Sequence, residues 1–98
     1  MTRQVSLSVN EQAISLDYFV QALFDHTLGG IMEALEGTGE IKDLAISVDG
    51  DEIKINLNGA AVPLNPFVSR IARNTILAMV SSLKGAAGAE RVRINVER

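Results

Sequence analysis

The chain is 98 residues long, 47% apolar and 21% charged, with a formal net charge of −3; it fits one domain, residues 1–98, around one continuous core, and disorder is disfavoured. That charge argues against a general nucleic-acid binder, which carries a positive excess to neutralise phosphates. The absence of cysteine and the single histidine exclude disulfides, a thiol nucleophile and a thiolate or multi-histidine metal site within the chain.

From the first residues there is no long apolar segment of the signal-peptide kind, and no apolar run approaches the ~20 residues of a membrane span. The expected setting is the cytoplasm, away from membranes. Val5, Leu7 and Val9 alternate with Ser6 and Ser8, the period of a half-buried strand. Asn10-Glu11 is a modest hairpin-turn signal, and a short strand with Ile14 and Leu16 follows. Asp17 then offers an N-cap to a helix running to about Glu36, with Gly37 placed for a left-handed C-cap. Leu44, Ile46 and Val48 form the next strand, and Asp49-Gly50 is a second hairpin signal.

The same series then begins again. Ile53, Ile55 and Leu57 alternate with Lys54 and Asn56, and Asn58-Gly59 is a strong tight-turn pair. Val62 and Leu64 supply a short strand. Asn65 caps a second helix with Pro66 at its first position, where no N–H is needed. That helix is expected to reach about Lys84, with Gly85 as its C-cap, before a last strand carrying Val92, Ile94 and Val96. Residues 5–48 overlay residues 53–96 without a gap. Asn10/Asn58, Phe19/Phe67, Thr27/Thr75 and Val48/Val96 are among the identities, and apolar positions pair with apolar ones throughout. A persistent pattern at low identity is the mark of one supersecondary unit used twice. The expected fold is therefore α+β, an internally duplicated ββαβ–ββαβ chain. An antiparallel or mixed sheet carries both helices on one face. If the short second strands are ignored, the order β-α-β-β-α-β is similar to the ferredoxin-like plait, a resemblance of topology that hosts many functions.

A 100° wheel puts Phe19, Leu23, Phe24, Thr27, Leu28, Gly30 and Ile31 on the core face of the first helix. The equivalent set on the second is Phe67, Ile71, Ala72, Thr75, Ile76, Ala78 and Met79. Gly30 and Ala78 then suggest close approach of each helix to its neighbours, since Gly inside a helix costs about 1 kcal/mol against Ala. Asp25, Glu33 and Glu36 point outward on one helix, Arg70, Arg73 and Lys84 on the other. Opposite charges at equivalent positions could pair between helices or between subunits. Leu77 and Val80 lie three apart on the expected outer side, beside Met32. Met32, Arg70, Arg73, Leu77 and Val80 are accordingly the expected partner-binding set, and a homodimer is the expected state.

His26 is the side chain suited to acid–base work near neutrality, with Glu33 two turns along as its best carboxylate. No nucleophile motif accompanies it, and a boundary histidine with a wet tip is the simpler reading. The glycines of residues 36–40 and 84–88 follow helix C-termini, the wrong end for phosphate. Asp49, Asp51 and Glu52 lack calcium-loop spacing. The sheet's second face should carry Ser6, Ser8, Ala45, Ser47, Lys54, Asn56, Arg91, Arg93 and Asn95, without the aromatic residues on which RNA bases stack. The favoured function is a small non-catalytic binding or assembly module, working without metal or cofactor through a protein partner or small ligand. The alternative is an enzyme using His26 with a nearby carboxylate.

Overall fold

The computed structural model describes residues 4–36, 40–83 and 88–98, of which Glu36 is described by its backbone alone. In chain order the elements are β1 (Gln4–Val9), β2 (Gln12–Ile14), α1 (Tyr18–Glu36), β3 (Asp43–Asp49), β4 (Glu52–Leu57), β5 (Ala60–Ala61), α2 (Pro66–Ser81) and β6 (Arg91–Glu97). The fold is α+β, a six-stranded sheet in the order β2-β1-β6-β3-β4-β5 with every neighbour antiparallel.

Alternation along the strands puts Val5, Leu7, Val9, Leu44, Ile46, Val48, Ile55, Val92, Ile94 and Val96 on one buried face. Phe24, Leu28 and Met32 of α1 and Ile76 and Val80 of α2 close the same cluster, so both helices cover one side of the sheet. The other side holds the serines, asparagines and basic residues expected there, with no aromatic side chain among them. β1 and β3 run parallel, separated by β6, and α1 joins them; β4 and β6 run parallel, separated by β3, and α2 joins them. These two strand pairs point in opposite directions. Each helix returns against its own strands, so α1 and α2 are antiparallel, α1 nearest β1 and α2 nearest β4.

The strand order is not that of a ferredoxin-like plait, in which the first and third of the four main strands meet in the middle. A strand has only two edges. β2 takes one edge of β1 and β5 takes one edge of β4. β1 and β4 therefore cannot pair with each other while keeping their other neighbours. The centre falls to β3 and β6, where Ile46 lies opposite Ile94. The two-residue and three-residue strands that a coarse topology omits are what decide the order.

The turns and caps follow from local chemistry. Asn10 and Glu11 have φ of 49° and 71°, Asn58 and Gly59 of 50° and 84°, the left-handed values that a tight hairpin demands. Asp17 Oδ1 accepts from Val20 N at 2.8 Å, and Asn65 Oδ1 accepts from Val68 N at 2.8 Å, each meeting one of the orphan donors at a helix start. The second helix ends at Ser81, short of the expected Lys84, with Ser82 as its C-cap and the Ser82 N–H donating back to Met79 O; the expected C-cap positions Gly37 and Gly85 lie outside the described residues.

Candidate functional site

The helices bury only part of the side that the wheel assigned to the core: Phe24, Leu28, Ala72 and Ile76 are buried as expected, whereas the rows through Phe19 and Phe67 face out. Phe19 is 70% exposed and Phe67 59%, with Tyr18, Leu23 and Ile71 also open to solvent. Gly30, Ala34, Ala78 and Ser82 continue the same outer rows. The reason is Asp25. A charged residue reads as outward, yet Asp25 is 3% exposed. Arg98 makes that burial tolerable: its Nε donates to Asp25 Oδ1 at 2.8 Å, and its Nη2 approaches the Asp25 carbonyl at 3.4 Å. With Asp25 turned inward, Phe24, Leu28 and Met32 fill the core, and Phe19 and Leu23 turn out.

This rotation corrects the expected partner-binding set. Met32 is 2% exposed and Val80 0%, so both are core residues and offer nothing to a partner. Leu77 is half-buried against the core. Arg73 is held within the fold, its Nε donating to Gly50 O at 2.7 Å and its Nη2 lying 3.6 Å from Asp51 Oδ1. Arg70 alone of that set is exposed. Asp25 and Arg73, opposite in sign at equivalent positions, do not meet; each fastens a different strand end. Gly30 has open space around it, whereas a Cβ on Gly29 would stand 2.7 Å from Arg98 Nη2. The glycine that permits close approach is therefore Gly29, and what approaches is an arginine side chain.

His26 and Glu33 both lie exposed on the outer side of α1. The described residues enclose a polar depression of about 370 Å³ at the β1 end of the sheet, lined by Gln4, Val5, Ser6, Gln21, Asn95 and Glu97. Neither His26 nor Glu33 is in its wall, whereas acid–base catalysis uses a sheltered cleft. Among the described residues no three His, Asp or Glu side chains group closely enough to hold a metal ion. No described helix is long and apolar enough to cross a membrane.

What remains as a site is the outer helix layer. Both helices carry bulky apolar residues in the N-terminal half, Phe19 and Leu23 on α1, Phe67 and Ile71 on α2. Both carry small residues toward the C-terminal end, Gly30 and Ala34 on α1, Ala78 and the C-cap Ser82 on α2. A helix apolar on both its inner and outer sides is typical of one covered on both sides. The sequence did hold this signal, since the apolar stripe of α1 is too broad for one buried face.

No family model matches the chain, and no solved structure matches it. A stretch of 45 residues is 38% identical to a protein of Methanocaldococcus jannaschii named as a molybdopterin-guanine dinucleotide biosynthesis adapter protein; it covers 46% of this chain and 19% of that protein. A match confined to a fifth of its relative does not assign the chain to a family.

Proposed function

We propose that the chain is a non-catalytic binding or assembly module of the cytoplasm, built by internal duplication and working as a homodimer through its outer helix layer. The observation that carries this reading is the exposure of Phe19, Leu23, Phe67 and Ile71 together on one face. Bulky apolar side chains exposed at both ends of the helix layer of a small domain mark a surface where a partner sits. The partial likeness to a protein named as an adapter covers too little of either chain to add weight.

The duplication is supported by the ladders. Val5, Leu7 and Val9 face Val96, Ile94 and Val92, while Ile53, Ile55 and Leu57 face Val48, Ile46 and Leu44. Every residue in the second set is the counterpart, 48 positions away, of one in the first. Asn10 Oδ1 accepts from Glu90 N and Arg91 N, both at 3.0 Å, and its Nδ2 donates to Gly88 O at 3.1 Å. Asn58 Oδ1 accepts from Lys42 N at 2.9 Å and Asp43 N at 3.0 Å, and its Nδ2 donates to Glu40 O at 2.9 Å. Equivalent side chains make equivalent bonds.

Light scattering on the eluting peak tests the reading. The expected mass at tens of micromolar is twice the 10.5 kDa of one chain. Replacing Phe19→Glu together with Phe67→Glu should give a folded monomer. A wild-type monomer throughout that range overturns the homodimer.

A further inference from the structure

Resting on that reading, we infer that the second copy packs face to face across a two-fold axis parallel to the helices, so that α1 of one subunit lies antiparallel on α2 of the other. Shape points to a second copy as the occupant. Each helix is bulky in its N-terminal half and small in its C-terminal half. An antiparallel helix laid on it brings Phe19 and Leu23 over Ala78 and Ser82, and brings Gly30 and Ala34 over Phe67 and Ile71. The face fits itself, as an isologous interface must.

Two in-plane axes would allow such stacking, and charge separates them. An axis across the helices puts α1 on α1 and α2 on α2. An axis along them puts α1 on α2. Among the described side chains, the exposed charge on the outer side of α1 is Glu33, in the C-terminal half, and on α2 it is Arg70, in the N-terminal half. Because the helices are antiparallel within one subunit, those halves lie at the same end of the layer. The axis along the helices therefore sets Glu33 of each subunit against Arg70 of the other, two opposite-sign contacts per dimer. The axis across them leaves Glu33 and Arg70 each over an apolar stretch of its own helix type. Such contacts select orientation more than they add affinity. His26, Asn74 and Ser82 are further described polar residues on these rows, and none opposes the pairing.

Charge exchange tests the arrangement. Glu33→Arg and Arg70→Glu should each raise the dimer dissociation constant by roughly tenfold or more, and the double variant should return it to within about threefold of wild type. Since the chain has no cysteine, oxidative cross-linking gives an independent readout. A mixture of Ala34→Cys and Phe67→Cys proteins should form a disulfide-linked pair more readily than a mixture of Ala34→Cys and Phe19→Cys. A wild-type dimer that ignores both charge reversals, or that cross-links 34 to 19 in preference to 67, overturns this geometry and leaves the homodimer standing. A wild-type monomer overturns the homodimer itself.

Discussion

Arg98 reaches back from the end of β6 to Asp25 in the middle of α1, 2.8 Å from Nε to Oδ1, across the space that Gly29 leaves free. The Asp25 side chain is almost wholly buried, whereas the Arg98 side chain keeps about a quarter of its surface in water. The two ends of the pair are therefore unequal. Arg98→Ala removes the compensating charge beside a buried carboxylate and should cost about 2–4 kcal/mol; Asp25→Ala lets the arginine swing into solvent and should cost less, about 1–2 kcal/mol. Urea unfolding of both variants checks the order. Equal losses, or a greater loss for Asp25→Ala, would contradict it.

The two asparagine clamps should behave as a matched set. Each side chain accepts two backbone N–H bonds and donates one, holding the approach to β6 through Asn10 and to β3 through Asn58. Asn10→Ala and Asn58→Ala should each destabilise by about 1–3 kcal/mol. The double variant should lose about the sum, because the sites share no partner. Asn58→Asp keeps both acceptor contacts and loses only the donor, so its penalty should be smaller than that of Asn58→Ala. Chemical denaturation of the four proteins decides.

Glu11 holds a backbone angle that suits glycine, and Gly59 stands at the corresponding position of the second hairpin. Glu11→Gly removes the cost of a left-handed non-glycine residue, about 1 kcal/mol. It also loses the ion pair between Glu11 Oε1 and Arg91 Nη2 at 2.6 Å, which is exposed and worth about 0–1 kcal/mol. The melting temperature should hold or rise by a few degrees. Gly59→Glu should lower it by about 4–8 °C. Calorimetry on both variants checks the asymmetry; a marked fall for Glu11→Gly would show that the turn relies on its ion pair.

Phe19 and Phe24 separate the two sides of one helix. Phe24 is fully buried, so Phe24→Ala should cost about 3–5 kcal/mol at any protein concentration. If the proposed homodimer forms, Phe19→Ala should instead show a loss that depends on concentration, vanishing at dilutions where the subunits separate. Thermal melts over a hundredfold dilution series distinguish them.

Much of the fold can be read from residue patterns because short-range rules decide it. Val5, Leu7 and Val9 declare a strand by alternation, Asn65-Pro66 declares a helix start, and Asn58-Gly59 declares a hairpin. The strand order was less legible, because it depends on which edges β2 and β5 occupy, and a two-residue strand leaves little trace. The helix orientation is hidden for a different reason. Asp25 reads as a surface residue until its partner Arg98, 73 positions away, is known. With Asp25 counted as outward, Met32 and Val80 go outward too, and Phe19 and Phe67 go in. Long-range pairing, rather than local preference, sets which apolar stripe the sheet covers.

The central place of β6 has a consequence for how the molecule comes together. It is the last strand in chain order, yet it forms the ladder to β1 on one side and to β3 on the other. Until it arrives, a growing chain holds two separate hairpin units whose greasy undersides have no common centre, and closing them demands contacts between residues far apart along the backbone. Such closure is slow compared with making a hairpin or a helix. Synthesis on the ribosome would therefore pass through a stage exposed to aggregation that ends only when Val92, Ile94 and Val96 emerge.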